Sequence, residues 1–318
     1  MPPYAASSPI DCDVDFETKH LAGRTAVVTG GASGIGEAYA RALDAAGLTV
    51  VIGDLDSQRG EALVAELKRI LILSSTKYVQ CDVTNWDDQV RLFKTAKDAS
   101  PSGKIQYVVA NAGITREDDV FAFDADGPKK PDLSIINVNL HGTLYTTKLA
   151  QHYFTLQNGT KPSPEQDDSC LILIGSGAAF LDCPRTPQYC STKWGTRGIM
   201  HALRRTAYFN GSRVNVISPC STSHRARYVR TSILPKEMFD KVESSGVEFA
   251  TTEDAGQCLL RILSDPSVNG RSLFLSPRKW APRGYLDLDL DEYAGNELLQ
   301  EIQADQIRDT PVELGLFP

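Results

Sequence analysis

The chain of 318 residues has little of several things that would mark other kinds of protein. It has no apolar run near the roughly 20 residues that a bilayer-crossing helix needs, which argues against a membrane span. It has no excess of basic charge: 33 lysines and arginines stand against 40 aspartates and glutamates, a net charge of −7. That balance speaks against a nucleic-acid surface and suits a solvated globular protein. The opening stretch MPPYAASSPIDCDVDFETKHLAGR lacks the basic and apolar regions of a secretory signal, and residues 1–20 read as a polar arm. No C-x-x-C occurs among the seven cysteines, and the five histidines are dispersed, so zinc-ligand spacing is missing and no metal is expected. An odd set of scattered thiols predicts free cysteines in a reducing compartment, hence a cytoplasmic protein.

What is present is an alternation of two periodicities. TAVVTG, from Thr25, is short, β-branched and closed by glycine, as a buried parallel strand should be. EAYARALDAAG then carries apolar residues at helical spacing and stops at Gly47. TVVIGD, KYVQCDV and IQYVVANAG read as further strands, separated by the helix patterns RGEALVAELKRI and VRLFKTAKDA. A long helix is expected from about Asp132 to Leu156. The strand CLILIGS, a helix to about Phe209, and the strands SRVNVIS and RSLFLS follow. Short connections throughout predict an α/β fold: a single-domain Rossmann fold with a doubly wound parallel sheet of about seven strands. No composition break marks a second domain. The expected layout is a domain over residues 21–277, with a substrate loop at about 220–252, and an acidic C-terminal extension over 278–318.

The first strand runs into TGGASGIGEAYA, where Gly30, Gly34 and Gly36 are spaced G-x-x-x-G-x-G between strand and helix. Glycine allows a tight turn and close approach of backbone to a pyrophosphate, and the helix N-terminus offers its N–H groups to the phosphates. The turn residues Gly30, Ser33, Gly34, Ile35 and Gly36 are therefore cofactor-binding candidates. Asp54 and Leu55 end the second strand. A carboxylate there accepts hydrogen bonds from both adenosine ribose hydroxyls and repels a 2′-phosphate, by roughly 3 kcal/mol per unit charge at 5 Å and a dielectric near 20. No cation lies between Gly30 and Gly36 to compensate, so NAD is expected in preference to NADP. Asp82 and Val83 end the third strand, in place for the adenine. Asn111, Ala112 and Gly113 end the fourth, where glycine again permits close approach.

Tyr189 and Lys193 stand four residues apart on one predicted helix face, and Ser176 precedes the tyrosine by thirteen. A free phenol, with a pKa of about 10, is a poor base at neutral pH. A fixed cation beside it favours the phenolate. A serine hydroxyl from another element can hold a carbonyl or hydroxyl next to the phenol, which makes a proton-transfer site for alcohol and ketone chemistry. Asn139 lies inside a helix, where asparagine is mildly unfavourable, and joins the candidates for that reason.

Together these residues resemble the short-chain dehydrogenase/reductase family, in its compact single-domain branch. The resemblance spans about Leu21 to Pro277 and rests on TGGASGIG, Asp54, Asp82–Val83, Asn111–Gly113, Asn139, Ser176, Tyr189, Lys193 and NVISP at Asn215–Pro219. It implies that Tyr189 is the general acid/base. It implies further that Lys193 lowers the tyrosine pKa and binds the nicotinamide ribose, that Ser176 holds the substrate oxygen, and that Asn139 positions a water linking Lys193 to solvent. Pro219 and Thr222 fall where the family meets the nicotinamide. Two departures stand out: Ala110 precedes Asn111 where the family has asparagine, and Cys220 follows Pro219 where it has glycine. VVANAGI and the tail PRGYLDLDLDEY resemble NAD-dependent fungal dehydrogenases of secondary metabolism, the hydroxyaverantin dehydrogenase group among them. The family also implies a homodimer or homotetramer paired through the Asn139 and Tyr189 helices.

The substrate side is expected from Phe180, Leu181, Trp194, Tyr228, Met238 and Phe239, with Arg225, Arg227 and Arg230 nearby. An apolar cleft of this kind suits a bulky secondary alcohol or ketone, aromatic or polyketide-like. Two other readings stay open. A non-redox dinucleotide-binding protein has no need of the full Asn139, Ser176, Tyr189 and Lys193 set. A cyclase or dehydratase reusing the pocket is told apart by product mass.

Overall fold

Aliphatic and β-branched runs make the strands, and burial on both faces makes them parallel neighbours. In a computed structural model, which describes residues 2–71, 74–219, 250–293, 295–309 and 312, β1 (Thr25–Thr29), β2 (Thr49–Asp54), β4 (Tyr107–Ala110) and β5 (Ser169–Ile174) are buried almost throughout. Alternate residues feed two cores. Ala26, Val28, Val50, Ile52, Val109 and Ile172 join one cluster, while Val27, Val51, Val108, Leu171 and Val216 join the other. The edge strand β3 (Lys77–Gln80) is largely solvated. β6 (Ser212–Pro219) and β7 (Ser272–Leu275) complete the parallel series.

The strand order is β3-β2-β1-β4-β5-β6-β7-β8, the last being Tyr285–Asp287. It reverses between β1 and β4, and the crevice above that switch point is where an open α/β sheet takes its ligand. Helices α1 (Gly34–Ala45), α2 (Ser57–Ile70) and α3 (Trp86–Ala99) fill the early connections. Asn85 caps α3, accepting from the Asp87 and Asp88 N–H groups.

Three features go beyond the sequence expectation. The long helix after Asp132 is not uniform. It starts as α4 (Ser134–Ile136), widens into a π-helical turn at Asn137–Gly142 and continues as α5 (Thr143–Asn158). Such a turn accommodates an extra residue in the ladder and is frequent at functional sites. It coincides with close packing, since a Cβ on Gly142 would come within 2.8 Å of the Val83 side chain.

Secondly, the sheet has eight strands among the described residues. The last, β8 (Tyr285–Asp287), runs antiparallel to β7 and comes from the acidic extension. Three residues carry no readable period. What fixes them is Arg271, 1% exposed, whose Nε donates to Asp287 at 2.6 Å and whose Nη2 donates to Asp289 at 2.8 Å.

Thirdly, the N-terminal arm is docked. Arg271 Nη1 reaches the Ser7 carbonyl at 3.1 Å, Ile10 N donates to Asp287 at 3.1 Å, and the Tyr4 ring lies under the Arg204 guanidinium at 4.6 Å. A buried arginine also ties β6 down. Arg213, fully buried, holds Asp168 through two nitrogens at 2.7 and 2.9 Å. Its third gathers the carbonyls of Ile262, Asp265 and Val268 at the end of α7 (Thr252–Ser264).

Removing one partner of a buried pair strands the other charge. Asp287→Ala is expected to cost about 3–5 kcal/mol in urea unfolding, and pairing it with Arg271→Met should recover most of the loss. An Asp287→Ala protein with the wild-type midpoint would show that β8 is not held this way.

Candidate active site

The glycine turn closes on itself so tightly that side chains are excluded. Gly30 and Gly34 have φ of +63° and +60°, the left-handed region where other residues are strained. A Cβ on Gly36 would sit 2.1 Å from the Gly30 oxygen and 2.4 Å from Asn111 Nδ2. That amide donates to the Thr29 and Gly30 carbonyls, each at 2.9 Å. Thr29 Oγ1 in return accepts from the Asn111 and Ala112 N–H groups at 3.1 and 3.2 Å. The ends of β1 and β4 are thus sewn together at the switch point.

Helix α1 begins at Gly34, and Ser33 gives it no side-chain cap. Its first N–H groups and positive dipole end are left for an anion. Asp54 stands at the end of β2, half-buried. Its Oδ2 accepts from Ala32 N at 3.0 Å and its Oδ1 from Asp56 N at 3.1 Å, so the carboxylate also braces the glycine turn. Leu55 is exposed. Asp82 Oδ1 takes the N–H and hydroxyl of Thr84, both at 2.8 Å, while Val83 is buried beside Gly142. The residues present fit a dinucleotide: a backbone cradle with no room for side chains, an uncapped helix start and a carboxylate at the next strand end.

The second half of the site hangs from β5 and α6 (Pro187–Leu203). Ser176 follows β5, is 3% exposed, and its Oγ accepts from Ala178 N at 3.2 Å. Lys193, 6% exposed, donates from Nζ to the Ile174 carbonyl at 2.9 Å, and Nζ lies 5.6 Å from the centroid of the Tyr189 ring. Burial depresses the lysine from its ordinary 10.5 to about 8, so at neutral pH it still carries its proton. The Asn139 amide is committed at both ends. Its Oδ1 accepts from Ile114 N at 2.8 Å and its Nδ2 donates to Ile114 O at 2.9 Å, which pins the segment after Gly113 to the π-helical turn.

Pro219 closes β6. Thr222, with Cys220 and Ser223, lies outside the described residues, as do Tyr228, Met238, Phe239, Arg225, Arg227 and Arg230. Sequence reading missed Asp118. Its buried carboxylate accepts from Gln188 N at 2.8 Å and Gln188 Nε2 at 3.0 Å, and so seats the first turn of α6 immediately before Tyr189. An anion at that end also suits the helix dipole. Nothing in the local pattern around Asp118 signals a partner seventy residues away.

Among the described residues no cluster of metal-ligand side chains occurs, and no helix is long and apolar enough to cross a membrane. The described cysteines are free thiols.

Residues 24–231 match the family model described as short chain dehydrogenase. The chain belongs to that family and is an oxidoreductase of its type. It is 32% identical over 298 residues to the 5'-hydroxyaverantin dehydrogenase of Dothistroma septosporum, covering 87% of this chain and 92% of the relative. It is 29% identical over 317 residues to the NADP-dependent dehydrogenase M3 of a Phoma species, covering 93% of this chain and 89% of that one. The resemblance to the hydroxyaverantin dehydrogenase group is thus borne out. The crystal structure of 3-ketoacyl-(acyl-carrier-protein) reductase from Brucella melitensis, complexed with NADH, superposes with a TM-score of 0.65 at 22% identity. The match covers 80% of this chain and 97% of that one, and shows the shared fold.

The buried ammonium weighs on stability with a definite sign. Lys193 binds its proton less tightly folded than unfolded, so its cost is present below about pH 8 and is relieved as pH rises toward 10.5. Lys193→Met is expected to be more stable than wild type at pH 7, by up to about 3 kcal/mol in urea, with the gain shrinking by pH 10. A variant less stable at pH 7 than at pH 10, relative to wild type, would contradict the burial cost.

Proposed function

We propose that the chain is a NAD(H)-dependent oxidoreductase that interconverts a bulky, largely apolar secondary alcohol and its ketone. The observation that carries the reading is the placement of Lys193. Its buried ammonium is fixed by the Ile174 carbonyl 5.6 Å from the centre of the Tyr189 ring, at the end of the strand that Ser176 follows.

In this reading the glycine turn, Asp54, Val83 and the Asn111–Gly113 backbone hold the dinucleotide. When bound, that cofactor supplies the hydride acceptor or donor. Ser176 Oγ holds the substrate oxygen, and Tyr189 takes its proton in oxidation or returns one in reduction. Lys193 favours the phenolate by its charge, and the dry surroundings strengthen that effect. Asn139 acts on the geometry, by keeping the Gly113–Ile114 segment against the π-helical turn.

Tyr189→Phe keeps the ring and loses the proton carrier. Turnover of secondary alcohols should fall by about a thousandfold, within the range for losing a general acid/base, while NADH binding by fluorescence stays unchanged. Full turnover in that variant would reject the mechanism. A dinucleotide-binding protein without chemistry would instead leave every alcohol and ketone of a broad panel unturned.

Asp54 supports NAD, although the Phoma relative is named NADP-dependent. A carboxylate at the ribose hydroxyls repels a 2′-phosphate by roughly 3 kcal/mol, which amounts to about a hundredfold preference in kcat/KM. Asp54→Ala should reduce that ratio to below about tenfold. Equal use of both cofactors by the wild type would remove the assignment.

A further inference from the structure

Tyr189, Lys193, Arg197 and His201 recur every four residues along α6, and so form a stripe in which each is the neighbour of the next. The first two belong to the proposed site. The last two meet the C-terminal extension just past β8. Arg197 Nε donates to Asp291 Oδ1 at 2.8 Å and its Nη2 donates to the Leu290 carbonyl, while His201 Nε2 lies 3.2 Å from the same carboxylate oxygen. Asp291 is 1% exposed and the Arg197 side chain 12%. The guanidinium is therefore anchored and largely dry.

Its face is used as well. Arg197 lies over the Phe180 ring at 4.5 Å and within 5.7 Å of the Trp194 ring. Phe180 meets Phe274 of β7 edge to face at 6.0 Å, so its ring is held between a strand and a fixed cation. Phe180 is also tied to Ser176. One 3-10 turn separates them, with Ala178 N donating to Ser176 Oγ, Ala179 N to Ser176 O and Phe180 N to Gly177 O. A displaced Phe180 ring would disturb the wall next to the serine that holds the substrate oxygen. A plain ion pair to the extension would need no aromatic ring under the guanidinium. Arginine serves both ends because its planar fork hydrogen-bonds in plane and stacks out of plane, which lysine cannot do.

We infer that Arg197, anchored by Asp291 and the Leu290 carbonyl, is a positioning residue that fixes Phe180 as the apolar wall beside Ser176. It thereby selects bulky aromatic ketones over small ones. This rests on the proposed dehydrogenase reading for the location of the substrate, but its test needs no turnover. The full-length chain saturated with NAD+, which has no hydride to give a ketone, is titrated calorimetrically with α-tetralone and with cyclohexanone.

Arg197→Met should weaken α-tetralone about tenfold and cyclohexanone less than about twofold, with NAD+ affinity unchanged. In a Phe180→Leu background the same substitution should cost less than about twofold, because its effect passes through the ring. Arg197→Lys, which keeps the charge beside Asp291 but not the planar face, should behave as Arg197→Met and guards against a methionine variant that fails to fold. The inference is overturned by equal losses for both ketones, by an undiminished loss in the Phe180→Leu background, by a wild-type-like Arg197→Lys, or by a wild type that binds neither ketone. None of these results depends on whether Tyr189→Phe abolishes turnover, so the two readings can fail separately.

Discussion

The Asn111 amide reaches across from the end of β4 to the carbonyls of Thr29 and Gly30 at the end of β1, and it can do so only because Gly36 presents no Cβ in between. Two chain segments and the start of a helix meet here at distances that backbone alone can occupy. A methyl group on Gly36 would overlap the Gly30 oxygen and would push α1 off the sheet. Because the strand order reverses between β1 and β4, this stitch also defines the floor of the crevice. The first turn of α1, the Asp54 carboxylate bonded to Ala32 and the Gly113 segment all take their positions from it.

From that floor, geometry passes to the half of the site holding Ser176, Tyr189 and Lys193 through β4 and β5, paired in register from Tyr107 with Cys170 to Ala110 with Leu173. β5 delivers both the Ile174 carbonyl and Ser176, and α6 lies across its end. The lysine that joins them is taken out of water, and burial alone would favour its neutral form. The fold tolerates this because the ammonium keeps one strong acceptor and an aromatic face, and at neutral pH stays on the charged side of its titration. A cation held in a dry place carries a stability cost at that point of the fold. The surrounding sheet, buried on both faces, offsets it.

The parts legible in the sequence are those where one local rule acts. β-branched runs closed by glycine gave the strands of the parallel sheet, and the spacing of Gly30, Gly34 and Gly36 gave the turn, since strand burial and tight turns are decided within a few residues. The spacing of Tyr189 and Lys193 was readable for the same reason. The parts that were not legible depend on partners far apart in the chain. Asp118 seats α6 across 70 positions, and Tyr4 meets Glu292 across 288. β8 is too short to show alternation, and its acidic residues look like a solvated tail until Arg271 is seen buried against them. The π-helical turn at Asn139 was hidden because its sequence is compatible with a plain helix. It is the Asn139 amide pairing with Ile114 and the close approach of Gly142 to Val83 that accompany the widening.

Several other long-range links share one chemistry. Arg213, Arg271, Arg204 and Arg197 are each buried or nearly so, and each joins a carboxylate and one or more carbonyls from segments remote in the chain. A guanidinium offers five donors in a fixed plane, so a single residue can satisfy the end of a helix, a strand and an arm together. Hydrophobic burial is non-directional, whereas these forks accept one arrangement only. They therefore specify where the arm and extension lie more than they add net stability, because desolvating each pair consumes most of its attraction. Arg197 is the member of this set whose anchoring reaches toward the site. The same forks that place the extension also set how firmly the wall beside Ser176 is held, which links the part of the chain least legible in the sequence to the selectivity of the part most legible in it.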